Sequence, residues 1–202
     1  ELQVGDSELS SATTLLNRAL TLGTQGATGT LSASDRSDLG QEVSQVMDEM
    51  VNIANTTFNG AYVFAGTAGG PAYTADPTQP DGVTYNGNTG ANQVQIAPGA
   101  TVTINQPGSQ IFQNGSGSIF QSLNDLKKAL NSNDPAGAQT AVIELSSAVK
   151  QLGQQRVFYG STLNRLSSTQ TFLSNEQQNL TQQETTLVGT DDFGRIALDH
   201  LR

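Results

Sequence analysis

Between Ala136 and Leu187 one position returns every seven residues: Leu145, Leu152, Tyr159, Leu166, Leu173, Leu180 and Leu187. A second series runs beside it: Val142, Val149, Arg156, Leu163, Gln170, Gln177 and Glu184. Spacings of three and four hold side chains on one helix face, and a sustained period of seven is a coiled-coil seam. No proline interrupts the stretch. A helix of this span extends roughly 75–80 Å at 1.5 Å per residue, where an ordinary globular helix has about 11–12 residues. The rest of the chain has to supply what packs against it.

Shorter helical patterns flank this one. Leu9, Ala12, Leu16, Ala19 and Leu20 lie at helical spacing between Glu8 and Leu22, and Leu2, Leu9 and Leu16 repeat the seven-residue step. Gly23 is expected to stop that helix, since Gly23–Ser34 has the composition of a loop. Ser32, three residues before Asp35, has the pattern of a capping box. It opens a helix from about Ala33 to Thr57, with the stripe Leu39, Val43, Val46, Met50 and Ile53. Asn59-Gly60 supplies left-handed residues for a stop or turn. Helical spacing returns at Ile119, Leu123, Leu126 and Leu130, and Asn133-Asp134-Pro135 breaks it. Pro135 suits the first turn of the long helix, where its missing N–H costs nothing. Gly189 is expected to end that helix, with Asp191-Asp192 capping a last short one that holds Phe193, Ile196, Ala197 and Leu201.

Between the helical arms the pattern changes to alternation. Ala61–Ala65 reads as a strand, and Gly66–Gly117 carries five of the six prolines. Val83–Tyr85, Gln93–Ala97 and Thr101–Asn105 alternate apolar and polar residues, separated by Asn86–Gly90 and Pro98-Gly99. These segments predict hairpins. The expected fold is α+β and mainly α: an elongated antiparallel helical bundle with a small inserted β domain. Its domains are a discontinuous helical part, 1–65 and 118–202, and a β-rich insertion, 66–117.

Composition narrows the function. The chain of 202 residues is 35% hydrophobic and has no Trp, which suits helices buried along one stripe. Its net charge of −9 repels phosphate backbones, so no nucleic-acid partner is expected. No basic cluster marks a membrane surface, and no apolar run approaches the ~18 residues of a membrane span. There is no Cys, which removes disulfides, thiolate metal sites and cysteine catalysis. Glu1–Ser10 is polar, without the features of a signal peptide. The chain starts without Met and already in a helical pattern, and reads as a fragment.

Candidates for chemistry are few. His200 is the only histidine and stands in a polar tail. Gly115-Ser116-Gly117 precedes a helix but lacks the glycine spacing and the Lys-Ser/Thr pair of a phosphate loop. Asp134, Asp191 and Asp192 lack the spacing of a calcium loop and read as helix caps. No catalytic residue, cofactor or metal is assigned, and the chain reads as a non-enzyme. The long helix is the informative feature. Its first half is apolar on both series, whereas its second half sets Gln170, Gln177 and Glu184 beside the leucines. Either a narrow stripe faces one partner helix, such as the one with Leu2, Leu9 and Leu16, or this face meets neighbouring subunits. The two readings are compatible.

Several segments resemble the bacterial flagellin superfamily. They are Asp6-Ser7-Glu8-Leu9, Leu16-Asn17-Arg18-Ala19-Leu20, Gln25–Thr30 and Ser34-Asp35-Arg36. The most specific is Ile53-Ala54-Asn55-Thr56-Thr57-Phe58-Asn59-Gly60-Ala61-Tyr62-Val63-Phe64-Ala65-Gly66. Its continuation Tyr62–Gly66, with Ile119–Leu126 and Gly160-Ser161-Thr162-Leu163-Asn164-Arg165-Leu166, is similar to the hook–filament junction proteins of that superfamily. The resemblance covers both helical arms and leaves Gly66–Gly117 unmatched. It marks Asp35, Arg36, Asn55, Asn59, Gly60, Phe64, Gly66, Gly160 and Asn164 as motif residues.

What the resemblance implies is a structural component of the bacterial flagellum, lying outside the cell and secreted unfolded through the flagellar export apparatus. Its role would be that of an adaptor linking the preceding hook-associated protein to flagellin. Its partners would be that protein, flagellin, copies of itself in a ring and an export chaperone, with the isolated core monomeric. A filament flagellin is the alternative. A second alternative is a surface module that binds glycan or host surfaces, with Tyr62, Tyr73 and Tyr85 stacking on sugars.

Overall fold

The computed structural model describes residues 1–114 and 117–199, with side chains through residue 188 apart from Asn114. The first helix, α1, spans Leu2–Gly26 and buries Leu2, Leu9, Leu16, Ala12 and Ala19. It runs through Gly23, the expected stop. A Cβ at Gly23 would stand 2.6 Å from Val142 Cγ2 and 3.1 Å from Leu126 Cδ1, so this glycine serves close packing. The second helix, α2, spans Ala33–Ala54 and opens on a complete capping box between Ser32 and Asp35. Val43, Val46 and Met50 are fully buried on it, while Leu39 and Ile53 are half-buried. Each buried aliphatic side chain contributes about 1.5–3 kcal/mol against solvent.

Beyond Asn55 the chain makes short strands. Two of them, β1 (Thr57–Phe58) and β2 (Ala61–Tyr62), pair around Asn59 (φ 52°) and Gly60 (φ 81°). Two consecutive positive φ values are what a two-residue primed hairpin turn demands. The strand expected over Ala61–Ala65 stops at Tyr62. Val63 to Ala65 are buried without strand pairing, and Gly66 turns the chain at φ 72°.

Three further hairpins follow. β3 (Tyr73–Ala75) pairs with β4 (Val83–Tyr85), and β5 (Gln93–Ala97) with β6 (Ala100–Thr103) around Pro98-Gly99. A one-turn helix, α3 (Gly108–Ile111), leads to β7 (Gln113–Asn114) and β8 (Gly117–Ser118). Ser118 then caps α4, Ile119–Asn131, by accepting from the Gln121 amide. The last helix, α5, spans Pro135–Asp199. Its backbone passes through Gly189 without the expected break, because one glycine costs only about 1 kcal/mol in a helix. The separate short helix expected after Asp191-Asp192 is therefore the continuation of α5. Leu201 and His200 lie outside the described residues.

Compactness divides the chain at 162/163, not at the ends of the insertion. In the first unit, residues 1–162, the hairpins and helices share one core. Tyr73 from β3 touches Phe112 and Phe120, with ring centroids 5.8 and 4.9 Å away, and Phe64 meets Phe112 edge-on at 5.4 Å. Side-chain pairs set the helix directions. Arg18 with Glu42 and Gly26 with Leu39 run α1 against α2; Asp6 with Arg156 and Gly23 with Val142 run α1 against α5. The second unit, residues 163–202, is helical through Asp199.

Candidate functional site

Among the described residues, the candidates for chemistry stand apart from one another in structural roles. Asp134 caps α5, its Oδ1 accepting from the Gly137 amide at 2.9 Å. Asp191 and Asp192 lie within α5, not at a helix start. Gly117 pairs with Asn114, and the rest of the glycine-serine loop lies outside the described residues. Tyr73 is sealed in the aromatic core at 1% exposure, and burial pushes its phenol well above the ordinary value. The Tyr85 hydroxyl donates to Phe64 O (3.2 Å) or Asn88 O (3.0 Å), and Tyr62 is half-buried. Tyr73 is thus unavailable for stacking on a sugar.

The motif residues instead build two polar joints. Asn55 sits at the C-cap of α2. Its Nδ2 donates to Tyr73 O at 2.7 Å, and its Oδ1 accepts from the Tyr73 amide at 2.8 Å. One amide side chain thereby imitates a strand neighbour and locks the end of α2 to β3. Arg36 forms the second joint at 4% exposure. Its Nε donates to Gly26 O at 2.8 Å, Nη2 to Thr28 O, and Nη1 to Asn133 Oδ1. Among the described residues, no carboxylate pairs with it. Its charge is met by carbonyls at the end of α1 and by Asn133, two residues beyond α4, where helix dipoles are negative. Asp35 is the exposed capping partner beside it.

Gly66 belongs to a third joint that sequence reading missed. A Cβ there would lie 2.3 Å from Asn88 O, so only glycine fits this positive-φ turn. Asn105, 2% exposed, donates from Nδ2 to Gly66 O at 3.1 Å and accepts the Asn92 amide at 2.7 Å. Nothing in the local pattern Ile104-Asn105-Gln106 announces this, because its partners are distant in sequence.

On α5 the seven-residue series divides. Leu145, Leu152 and Tyr159 are fully buried, with Tyr159 over the backbone at Gly5. Burial pushes the Tyr159 phenol above its ordinary value, and its hydroxyl makes no well-formed hydrogen bond among the described residues. The second buried series is small: Ala138, Ala141, Ala148 and Thr162. The expected partners Val142 and Val149 are half-buried at the edge. Arg156 leaves the seam to pair with Asp6 (Nε–Oδ1 2.9 Å), which raises its pKa further through that hydrogen bond. Beyond this point Leu166 is half-buried, and Leu173 (49%), Leu180 (56%) and Leu187 (72%) are exposed. As a seam closed within the chain, the series ends at Tyr159. Gln170, Gln177 and Glu184 are exposed beside the leucines.

Two glycines mark a separate outward face within the first unit. A Cβ at Gly153 or Gly160 would meet nothing within 4 Å. Each costs the helix about 0.5–1 kcal/mol relative to Ala, and neither turn nor internal contact uses it. Val157 between them is 68% exposed, and Asn164 is exposed one turn on. This outward face therefore carries an exposed valine between two small gaps.

The family described as bacterial flagellin N-terminal helical region matches residues 1–69, which include Arg36, Asn55 and Gly66. Flagellar hook-associated protein 3 of Escherichia coli K12 is 27% identical over 215 residues, covering 95% of this chain and 67% of its own. The flagellar filament 33 kDa core protein of Treponema phagedenis is 29% identical, covering 94% of this chain and 62% of its own. The chain thus spans about two thirds of the length of these relatives. The crystal structure of Xanthomonas campestris FlgL shares the fold at a TM-score of 0.80, with 18% identity, covering 92% of this chain and 93% of that one. The chain is thus similar to bacterial flagellins through its N-terminal helices, and to hook-associated protein 3 along nearly its whole length.

Proposed function

We propose that this chain is the core of an adaptor at the hook–filament junction of a bacterial flagellum. It joins the preceding hook-associated protein to the first layer of flagellin. The observation that carries the reading is the match to hook-associated protein 3 over 95% of the chain, insertion included. The work is done by packing, without catalysis. Copies form a ring, and many weak contacts add around a closed symmetry. The exposed leucines 173, 180 and 187 and the open face at Gly153, Val157 and Gly160 supply contact surface. The adaptor reaches the cell exterior unfolded through the flagellar export channel, held beforehand by an export chaperone. A chain without Cys suits that route, since no thiol needs managing on the way.

The similarity to a Treponema filament core protein favours a second reading, a filament subunit that polymerises with itself. Seed filaments separate the two. The full-length protein added to seeds is expected to bind their ends without elongating them; extensive growth from this protein alone would establish the filament reading. In the source bacterium, deletion is expected to leave hooks intact while monomeric flagellin spills into the medium. Gly153→Ala with Gly160→Ala in the full-length protein is expected to stabilise α5 and weaken assembly. Unchanged assembly would remove this face from the contact.

A further inference from the structure

The chain has two methionines, three residues apart on α2, and their surroundings differ. Met50 is sealed in the helical core at 0% exposure. Met47, 8% exposed, lines an open cleft of about 410 Å³ between α2, the β3–β4 turn and α4, beside Ser44, Asp48, Asn124 and Lys127. Its terminal methyl packs on Gly82, where a Cβ would stand 2.7 Å away. Gly82 has φ 76° and closes the turn: the Asp76 amide donates to Gly82 O at 2.8 Å, and the Gly82 amide to Gln79 O at 3.0 Å. Asn124 Nδ2 ties the other side of the turn to α4 through Pro80 O, at 2.8 Å. The thioether is therefore both within reach of small solutes and the apolar seat of a tight turn.

We propose that Met47 is an oxidative modification site, converted by hydrogen peroxide to the sulfoxide while Met50 is spared, and that this change unseats the β3–β4 turn. The sulfur lone pair attacks one peroxide oxygen, and the S–O bond forms as the O–O bond breaks. Sulfur is oxidised by two electrons; the released hydroxide takes the proton of the transferred oxygen and leaves as water. The product is a polar, chiral group where an unbranched apolar one had packed. It sets an S–O dipole against Gly82, and the turn moves away from α2.

The test exposes the folded 202-residue chain to hydrogen peroxide and follows each methionine by peptide mass. Cleavage before Asp48 puts Met47 and Met50 on separate peptides. Met47 is expected to oxidise at least about tenfold faster than Met50 in the folded chain, and at an equal rate once the chain is unfolded, because access governs the reaction. Equal rates in the folded chain, or Met50 reacting first, would overturn the assignment. Hydrogen exchange at the Asp76 and Gly82 amides is expected to accelerate on oxidation. Unchanged exchange after full conversion of Met47 would overturn the coupling to the turn. So would acceleration that persists in peroxide-treated Met47→Leu, where no sulfur stands at that position.

Discussion

Leu152 and Leu180 occupy the same position of one seven-residue repeat on one helix, yet the first is fully buried and the second 56% exposed. Around Leu145, Leu152 and Tyr159 the repeat is joined by buried Ala141, Ala148 and Thr162, while α1 comes close at Gly5 and Gly23. After Tyr159 the neighbouring series turns to Gln170, Gln177 and Glu184. Periodicity therefore reports that a face is apolar and helical. Whether the partner lies in the same chain is reported by what stands beside the leucines.

The sharpest way to break that comparison is to put the same charge at both places. Leu152→Asp buries an unpaired carboxylate and opens a cavity, and is expected to cost about 4 kcal/mol or more, enough to unfold the chain. Leu180→Asp is expected to stay within about 0.5 kcal/mol of the original. Urea unfolding of both variants measures this, and equal losses would mean that the exposed half has a partner inside the chain. Next in size is Arg36→Ala. It strands the buried carbonyl of Gly26 and removes the hydrogen bonds to Thr28 and Asn133, at about 2–4 kcal/mol. Arg36→Lys is expected to recover only part of this, because a point charge cannot serve both directions of the guanidinium fork.

Gly5→Ala probes the buried half with the smallest possible addition. Its Cβ would meet the Tyr159 ring at 2.4 Å. The expected cost is about 1–3 kcal/mol through forced repacking. Stability equal to or above that of the original would show that the ring gives way freely. The smallest effect lies at the edge, in the β3–β4 turn. The Thr78 hydroxyl (2.6 Å) and the Thr84 hydroxyl (2.9 Å) donate to the Asp76 carboxylate and hold its pKa below 3.8. A carboxylate lowered on folding stabilises fully above its ordinary value and loses that contribution as pH falls through the folded one. The thermal midpoint of the chain is expected to exceed that of Asp76→Asn above pH 3.8, with the gap shrinking below it.

Elements whose cause is local were legible. The Ser32–Asp35 cap, the Asn59-Gly60 turn and the Pro98-Gly99 hairpin each follow from the residues at the spot. Errors arose where distant packing overrode a local signal. Gly23 reads as a stop but lies under Val142 and Leu126, more than a hundred residues away. Tyr73–Ala75 did not stand out as a strand, because its definition comes from β4 and from Asn55. The separation of the β insertion from the helices was drawn from composition, which is blind to Phe64, Phe112 and Phe120 meeting around Tyr73. The surface candidates were legible as polar interruptions of the leucine series. Gly153 stood out only when its surroundings were seen to be open.

The Arg36 joint has a consequence for the order in which the chain folds. Its contacts with Gly26 and Thr28 close loops of about ten residues, while that with Asn133 spans 97 positions. Local closure is rapid, and long-range closure waits for the chain between. The α1–α2 hairpin can therefore form with Arg36 still holding water on one side. That water leaves only when the end of α4 arrives. A single guanidinium thus acts as a latch, recording that the inserted hairpins and α4 have come home before the end of the bundle becomes dry.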